Sequence, residues 1–130
     1  MATRVSRLLI VEDNPDTREM YASYFHRQGY ATYTAGDGRE ALARASALAL
    51  DVILLDLALP EVDGWELARR FRADPRTRSV SIVAVSGWAE LSARMRALSA
   101  GADVFVPKPV TPADLHGHVV RLRSRARAGS

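Results

Sequence analysis

The sequence predicts a doubly wound α/β domain: a five-stranded parallel sheet with helices on both faces. Three observations carry that prediction. Short apolar runs without alternation recur at Leu8–Val11, Val52–Leu55, Ser81–Val85 and Val104–Val106, the pattern of strands covered on both sides. Segments with apolar residues at helical spacing alternate with these runs, and strand–helix alternation builds a parallel sheet with right-handed crossovers. The chain has 130 residues, the length of one domain with room for a real core.

Leu8-Leu9-Ile10-Val11 is the first strand and ends in Glu12-Asp13. Asn14 followed by Pro15 starts a helix, Asn as the cap and Pro in the first turn. Met20, Tyr21, Tyr24 and Phe25 follow at helical spacing, and Gly29 stops the helix. Tyr30 to Ala35, rich in Tyr and Thr, reads as a less hydrophobic strand nearer the sheet edge. Gly36-Asp37-Gly38 turns the chain into a second helix carrying Ala41, Leu42, Ala45 and Leu48. Val52–Leu55 is the central strand, ended by Asp56, and Pro60, Asp63 and Gly64 mark the loop behind it. Trp65 to Arg72 forms a third helix with Leu67 and Phe71 inward, broken by Asp74-Pro75. Ser81 to Val85 is the fourth strand and ends at Ser86-Gly87. Leu91, Met95 and Leu98 lie along a fourth helix that stops at Gly101. Val104-Phe105-Val106 is the fifth strand, followed by Pro107-Lys108-Pro109. Thr111-Pro112 opens the last helix, with Leu115, Val119 and Leu122 on its apolar side. The domain is expected to occupy residues 1–124, with 125–130 a flexible Arg-containing tail.

A hydrophobic content of 48% and a charged content of 25% are those of an ordinary globular protein. No apolar run approaches the ~20 residues of a membrane span, and the strand pattern begins too early for a signal peptide. Without Cys there is no disulfide framework and no thiolate metal site. A cytoplasmic protein with no membrane partner is expected. The net charge of +3 and pI near 9.8 invite a nucleic-acid reading, but four of the basic residues are Arg121, Arg123, Arg125 and Arg127. All the acids lie before them, so the body is slightly acidic and a solvated basic end is the simpler account.

Four strands end in polar groups: Glu12-Asp13, Asp56, Ser86 and Lys108. Each alone has a bland explanation as a cap or a surface charge. In an open parallel sheet, however, all C-terminal strand ends share one edge, where ligands bind. Glu12, Asp13 and Asp56 would form a carboxylate cluster, each pair repelling by about 4 kcal/mol at ~4 Å with an effective dielectric of ~20. Such a cluster persists if some acids are protonated or a cation sits among them. All-oxygen ligation with open positions suits Mg²⁺. Lys108 is the chain's only lysine; its compact ammonium is not equivalent to a guanidinium fork.

Along its length the chain resembles the receiver domain of two-component response regulators. The resemblance rests on Glu12-Asp13, Asp56, Leu59-Pro60-Glu61-Val62-Asp63-Gly64, Ser86-Gly87 and Lys108-Pro109. It implies a flavodoxin-like sheet of strand order 2-1-3-4-5 and a role for each motif. Asp56 would accept a phosphoryl group from a sensor histidine kinase or a histidine phosphotransfer protein. Asp13 would bind Mg²⁺ (or Mn²⁺) directly and Glu12 through water, with Asp56 and the main-chain carbonyl of Ala58 as further ligands. Ser86 and Lys108 would hold phosphoryl oxygens. Ser86 and Phe105 would form the switch that changes the face of the fourth helix, fifth strand and fifth helix for a downstream protein. The family also implies a cis peptide at Lys108-Pro109. Ser86 stands where Thr is frequent and Phe105 where Tyr is; Ala58 and Trp88 occupy positions that tune phosphoryl lifetime, Trp88 as a shield. A stand-alone regulator, monomeric or weakly dimeric, is expected, with a receiver excised from a larger DNA-binding or enzymatic regulator as the alternative.

Other readings are weaker. Gly36-Asp37-Gly38 is too short for a dinucleotide fingerprint and follows the wrong strand. His116 and His118 are two apart on a helix and face different ways, and His26 has no partner at metal-ligand spacing. Phosphohydrolases with an aspartyl-phosphate intermediate place the nucleophile after the first strand with a second Asp two residues on. Here that position after Asp56 is Ala58. A non-catalytic module of the same shape would have no use for the full carboxylate set and Lys108.

Overall fold

The ten expected elements are present in the expected order. A computed structural model describes residues 5–59, 63–87 and 91–128. The strands are β1 Arg7–Val11, β2 Ala31–Ala35, β3 Val52–Asp56, β4 Ser81–Ser86 and β5 Val104–Pro107. The helices are α1 Pro15–Arg27, α2 Gly38–Ala47, α3 Gly64–Ala73, α4 Leu91–Ser99 and α5 Pro112–Ala128. All pairings are parallel, in the order β2-β1-β3-β4-β5. The less hydrophobic β2 is an edge strand, and β3, every residue of it buried, is the centre.

Successive strand side chains point to opposite faces, and this divides the core into two layers. Leu9, Val11, Ile53, Leu55, Ile82 and Ala84 pack with residues of α2, α3 and α4. Leu8, Ile10, Val52, Leu54, Val83 and Val85 pack with Tyr21 and Phe25 of α1 and with Leu115, Val119 and Leu122 of α5. Burial on both faces explains why the central runs are apolar without alternation. Four helix starts are capped by side chains among the described residues. Asn14, Asp37 and Asp63 accept from the amides of Thr17, Glu40 and Glu66 at 3.0, 2.8 and 2.7 Å. At α5 the Thr111 hydroxyl accepts from the Asp114 amide at 3.1 Å.

The turn from β3 into α3 is tight. A Cβ on Gly64 would stand 2.5 Å from the Leu57 Cα and 3.0 Å from the Asp56 carbonyl oxygen. Those are backbone atoms, so relief requires moving the loop that carries Asp56. Gly64→Ala is expected to cost about 1–3 kcal/mol, the usual range for overpacking. It would be read as a lower urea midpoint at unchanged m-value; an unchanged midpoint would show that the loop yields freely.

Two features go beyond what the sequence expectation specified. On α4 the large apolar residues face outward: Leu91, Met95 and Leu98 are 71%, 59% and 41% exposed, while Ala93, Ala97 and the following Ala100 are buried. Both stripes have the same spacing, and the small side chains are the ones that take the inward face. At the other end, α5 remains helical through Ala128, past the boundary expected after residue 124. Arg123, just before that boundary, reaches back to Asp51 at 3.5 Å, which ties the helix to the start of β3.

Candidate functional site

Parallel topology brings the exits of β1, β3, β4 and β5 to one edge. The register aligns them: Val11 lies beside Leu55, Asp56 beside Val85, and Ser86 beside Pro107. Glu12 and Asp13 leave β1, Asp56 is the last residue of β3, Ser86 the last of β4, and Lys108 follows β5.

The three carboxylates do converge. Glu12, Asp13 and Asp56 each offer an oxygen, all within 4.8 Å of one another. Glu12 and Asp56 are buried, at 3% and 7% exposure, and Asp13 is exposed at the mouth. Lys108 lies over the buried pair, its Nζ donating to Asp56 Oδ2 at 3.2 Å and to Glu12 Oε1 at 3.4 Å. Burial works against the ammonium, but the charges of Asp56 and Glu12 outweigh it and raise its pKa. Glu12 is pushed up to about 7, first by burial and then by the hydrogen bond and charge of Asp56, against the Asn14 amide and Lys108. One ammonium does not neutralise three acids, and this site answers part of the surplus by holding a proton.

The donor set fits a hard divalent cation. It is all oxygen, it mixes buried and solvent-facing carboxylates, and it leaves positions open to water. Mg²⁺ and Mn²⁺ both suit such ligands.

Backbone groups fix the side chains. The Ala58 amide donates to Asp56 Oδ1 at 2.9 Å, and the Asn14 amide to Glu12 Oε2 at 3.2 Å. In each case a carboxylate accepts from the amide two residues on, as in an Asx-turn. With Lys108 on the other oxygen, Asp56 is held at both ends. Ser86 is fully buried, and its carbonyl accepts from the Lys108 amide at 2.8 Å, which locks the ends of β4 and β5 together. The Lys108-Pro109 peptide is cis, as the resemblance implied. Phe105 is half-buried and packs on the layer shared with α4. Pro60, Glu61 and Val62 of the loop motif, and Trp88, lie outside the described residues.

Three contributors escaped the sequence reading. Arg18 of α1 donates to the Glu12 carbonyl at 3.0 Å, which holds the β1 exit; no local pattern marks it. The Ala58 amide was legible in principle, since an Asp followed two residues later by an amide is a common turn. Tyr21 is buried near the carboxylates. Burial, with some help from Glu12 and Asp56, raises its pKa against the charge of Lys108. Its spacing on α1 identifies it only as a core residue.

Residues 8–120 match the family model for the response regulator receiver domain. The DNA-binding response regulator MtrA of Mycolicibacterium smegmatis is 36% identical over 127 residues, which is 98% of this chain and 53% of that protein. The transcriptional activator protein PfeR of Pseudomonas aeruginosa is 35% identical over 121 residues, 93% of this chain and 39% of that protein. The chain thus spans about half the length, or less, of these curated relatives. Among solved structures, a CheY-like receiver domain protein from Methanospirillum hungatei superposes with a TM-score of 0.91 at 26% identity, covering 98% of this chain and all of that one. The chemotaxis response regulator CheY4 of Vibrio cholerae gives 0.86 at 28% identity, covering 91% and 98%.

Proposed function

The chain belongs to the response regulator receiver domain family, and from that membership we propose that it is a phosphoacceptor switch in which Asp56 receives the phosphoryl group. The observation that carries the reading is the setting of Asp56: a buried strand-terminal carboxylate, held by the Ala58 amide and Lys108, beside Glu12 and Asp13. The donor is a phosphohistidine of a sensor kinase or of a histidine phosphotransfer protein. An Asp56 oxygen forms the O–P bond as the P–N bond breaks, and the imidazole leaves with the electron pair. Hydrolysis of the acyl phosphate later restores Asp56. The domain is a signalling element, and this self-modification is the chemistry it performs.

Mg²⁺ (or Mn²⁺) would be held by Glu12, Asp13, Asp56 and the Ala58 main-chain carbonyl, supplying positive charge against the phosphoryl oxygens. Lys108, already hydrogen-bonded to Asp56, stays with the oxygens of the transferred group. Ser86 donates its hydroxyl to them. Phe105 responds on the adjacent strand, a shift between two packings that the phosphoryl group biases. The output then passes through the α4-β5-α5 face to a protein partner. The exposed Leu91, Met95 and Leu98 support this surface, since a cluster of large apolar side chains marks an interaction site.

The receiver is assigned to residues 1–124 and the Arg-containing tail to 125–130, the first part of which continues α5. A cytoplasmic location and a monomeric or weakly dimeric state belong to the same proposal; no helix among the described residues is long and apolar enough to cross a membrane. The output can be that of a stand-alone regulator. The DNA-binding relatives, matched over about half their length or less, favour a second reading in which an effector domain accompanies the receiver. The downstream reading frame separates the two.

Incubation with acetyl phosphate and Mg²⁺ tests the core of the proposal. Transient stoichiometric labelling, mapped to the peptide containing Asp56, is expected. Steady turnover of the phosphodonor would point to a hydrolase, and no labelling to a non-catalytic module.

A further inference from the structure

The sheet edge opposite Asp56 carries a second concave site, a cleft of about 450 Å³ between the end of α3, the start of β4 and the last turns of α5. We propose that it binds a small organic phosphomonoester, with Arg78 and Arg125 on the phosphate and Leu122 beneath the organic body. This reading is independent of the phosphoacceptor chemistry.

Three guanidiniums and one carboxylate line the cleft. Arg72 and Asp103 are already engaged. Arg72 donates to the carbonyls of Gly101, Arg78 and Val80 and pairs with Asp103 at 2.9 Å. Asp103 also accepts from the Ile82 amide at 2.8 Å. These two charges cancel, and their contacts form the rigid floor of the cleft. Arg78 and Arg125 are different. Both are exposed, and neither side chain has a hydrogen bond or ion pair among the described residues. The cleft therefore holds two cations in excess.

Arginines near helix C-termini often only offset the helix dipole, about half a charge per end. That account reaches Arg125, in the closing turn of α5, but not Arg78, which lies in the turn between α3 and β4. Ser81 adds a neutral hydrogen-bonding group to the two cations. Ser81 lines the cleft at 7% exposure, and its hydroxyl has no partner among the described residues. The hydroxyl is not an enclosed orphan and still meets solvent, so it remains available to bond a ligand oxygen in the cleft.

The chemistry of the ligand follows. Two guanidinium forks match a dianionic phosphate, which accepts paired N–H donors. The volume falls within the roughly 300–1,000 Å³ typical of small-molecule sites and far exceeds a bare phosphate. The buried Leu122 and Val80 supply an apolar wall. A bound ester would bridge the α3–β4 turn to the end of α5 and restrain that helix from the side remote from Asp56.

The test is an amide chemical-shift titration of the whole chain, with chelator present so that no divalent cation recruits phosphate to the Asp56 edge. Phenyl phosphate is the probe, and inorganic phosphate and phenol are the controls. Saturable shifts at Ser79, Ser81, Asp103 and Arg125 are expected, with inorganic phosphate weaker at the same amides and phenol inert. Arg78→Ala and Arg125→Ala should each weaken phenyl phosphate binding by about tenfold, the loss of one charge-assisted contact. Both side chains are exposed, so neither change threatens the fold. Asp56→Asn should leave the titration unchanged. The proposal is overturned by an absence of saturable shifts, by shifts confined to the Asp56 edge, or by undiminished affinity in both arginine variants. Equal affinity for inorganic phosphate and phenyl phosphate would overturn the assignment of an organic body.

Discussion

Asp56→Asn is expected to abolish phosphoryl labelling and, in the absence of divalent cations, to leave the protein at least as stable as the parent. The first half follows from the chemistry: a carboxamide is not a nucleophile toward phosphorus under these conditions, and no other acid ends the central strand. The second half is a balance. Asp56 shares its site with Glu12 and Asp13, all within 4.8 Å, and one such pair repels by about 4 kcal/mol at ~4 Å and a dielectric of ~20. Against this stands the contact from Lys108 at 3.2 Å, which the substitution weakens. The Ala58 amide still finds an oxygen to donate to, so the turn keeps its hydrogen bond. A net gain on the order of 1 kcal/mol is expected once the two effects are set against each other. Intact-mass measurement after acetyl phosphate treatment checks the first half and urea unfolding with chelator the second. Phosphate recovered on another residue would remove Asp56 from its assigned role. A lowered midpoint would show that the Lys108 contact outweighs carboxylate repulsion.

Metal-free stability is expected to fall as the pH rises from about 4.5 to about 7 and then to level off. Glu12 is the cause, its pKa raised from 4.5 to about 7 by burial and by Asp56. Between those values the folded state holds a proton that the unfolded state has released, so raising the pH favours unfolding. The full span corresponds to at most about 3 kcal/mol. Mg²⁺ should remove this slope, because a cation among the oxygens favours the ionised form. Its apparent affinity should in turn weaken on acidification below about pH 7, where Glu12 must first lose its proton. Urea midpoints across this range, with chelator and with Mg²⁺, give both quantities. Glu12→Gln isolates the cause: it should flatten the metal-free profile over this window. A variant that retains the parent's slope would assign the effect to other groups.

Much of this protein is legible without coordinates. Four short apolar runs and one Tyr- and Thr-rich run, alternating with turns and helical periods, identify five parallel strands, because these features depend on residues close in sequence. Once the strands are parallel, their C-terminal ends must share an edge. The placement of Glu12, Asp13, Asp56, Ser86 and Lys108 on one edge of the sheet therefore follows from parallel pairing alone. The strand order does not: it came from the resemblance, since nothing in a run such as Val52–Leu55 states its neighbours.

The tertiary structure decided what depends on distance and clearance. Lys108 lies 96 positions from Glu12 and 52 from Asp56, and only the packed sheet shows that one ammonium reaches both. The sequence places Glu12 in a carboxylate cluster, but only the fold shows that it is buried and that its proton affinity is raised. On α4, Leu91, Met95 and Leu98 recur at the same spacing as Ala93, Ala97 and Ala100, and hydrophobicity alone selects the wrong stripe for the core. The packed structure seats the alanines inward and leaves the larger side chains on the surface. Arg72 likewise looks like one more basic residue at a helix end. Its contacts to Gly101 and Asp103 exist only because the chain returns beside it, and sequence periodicity carries no record of such long-range returns.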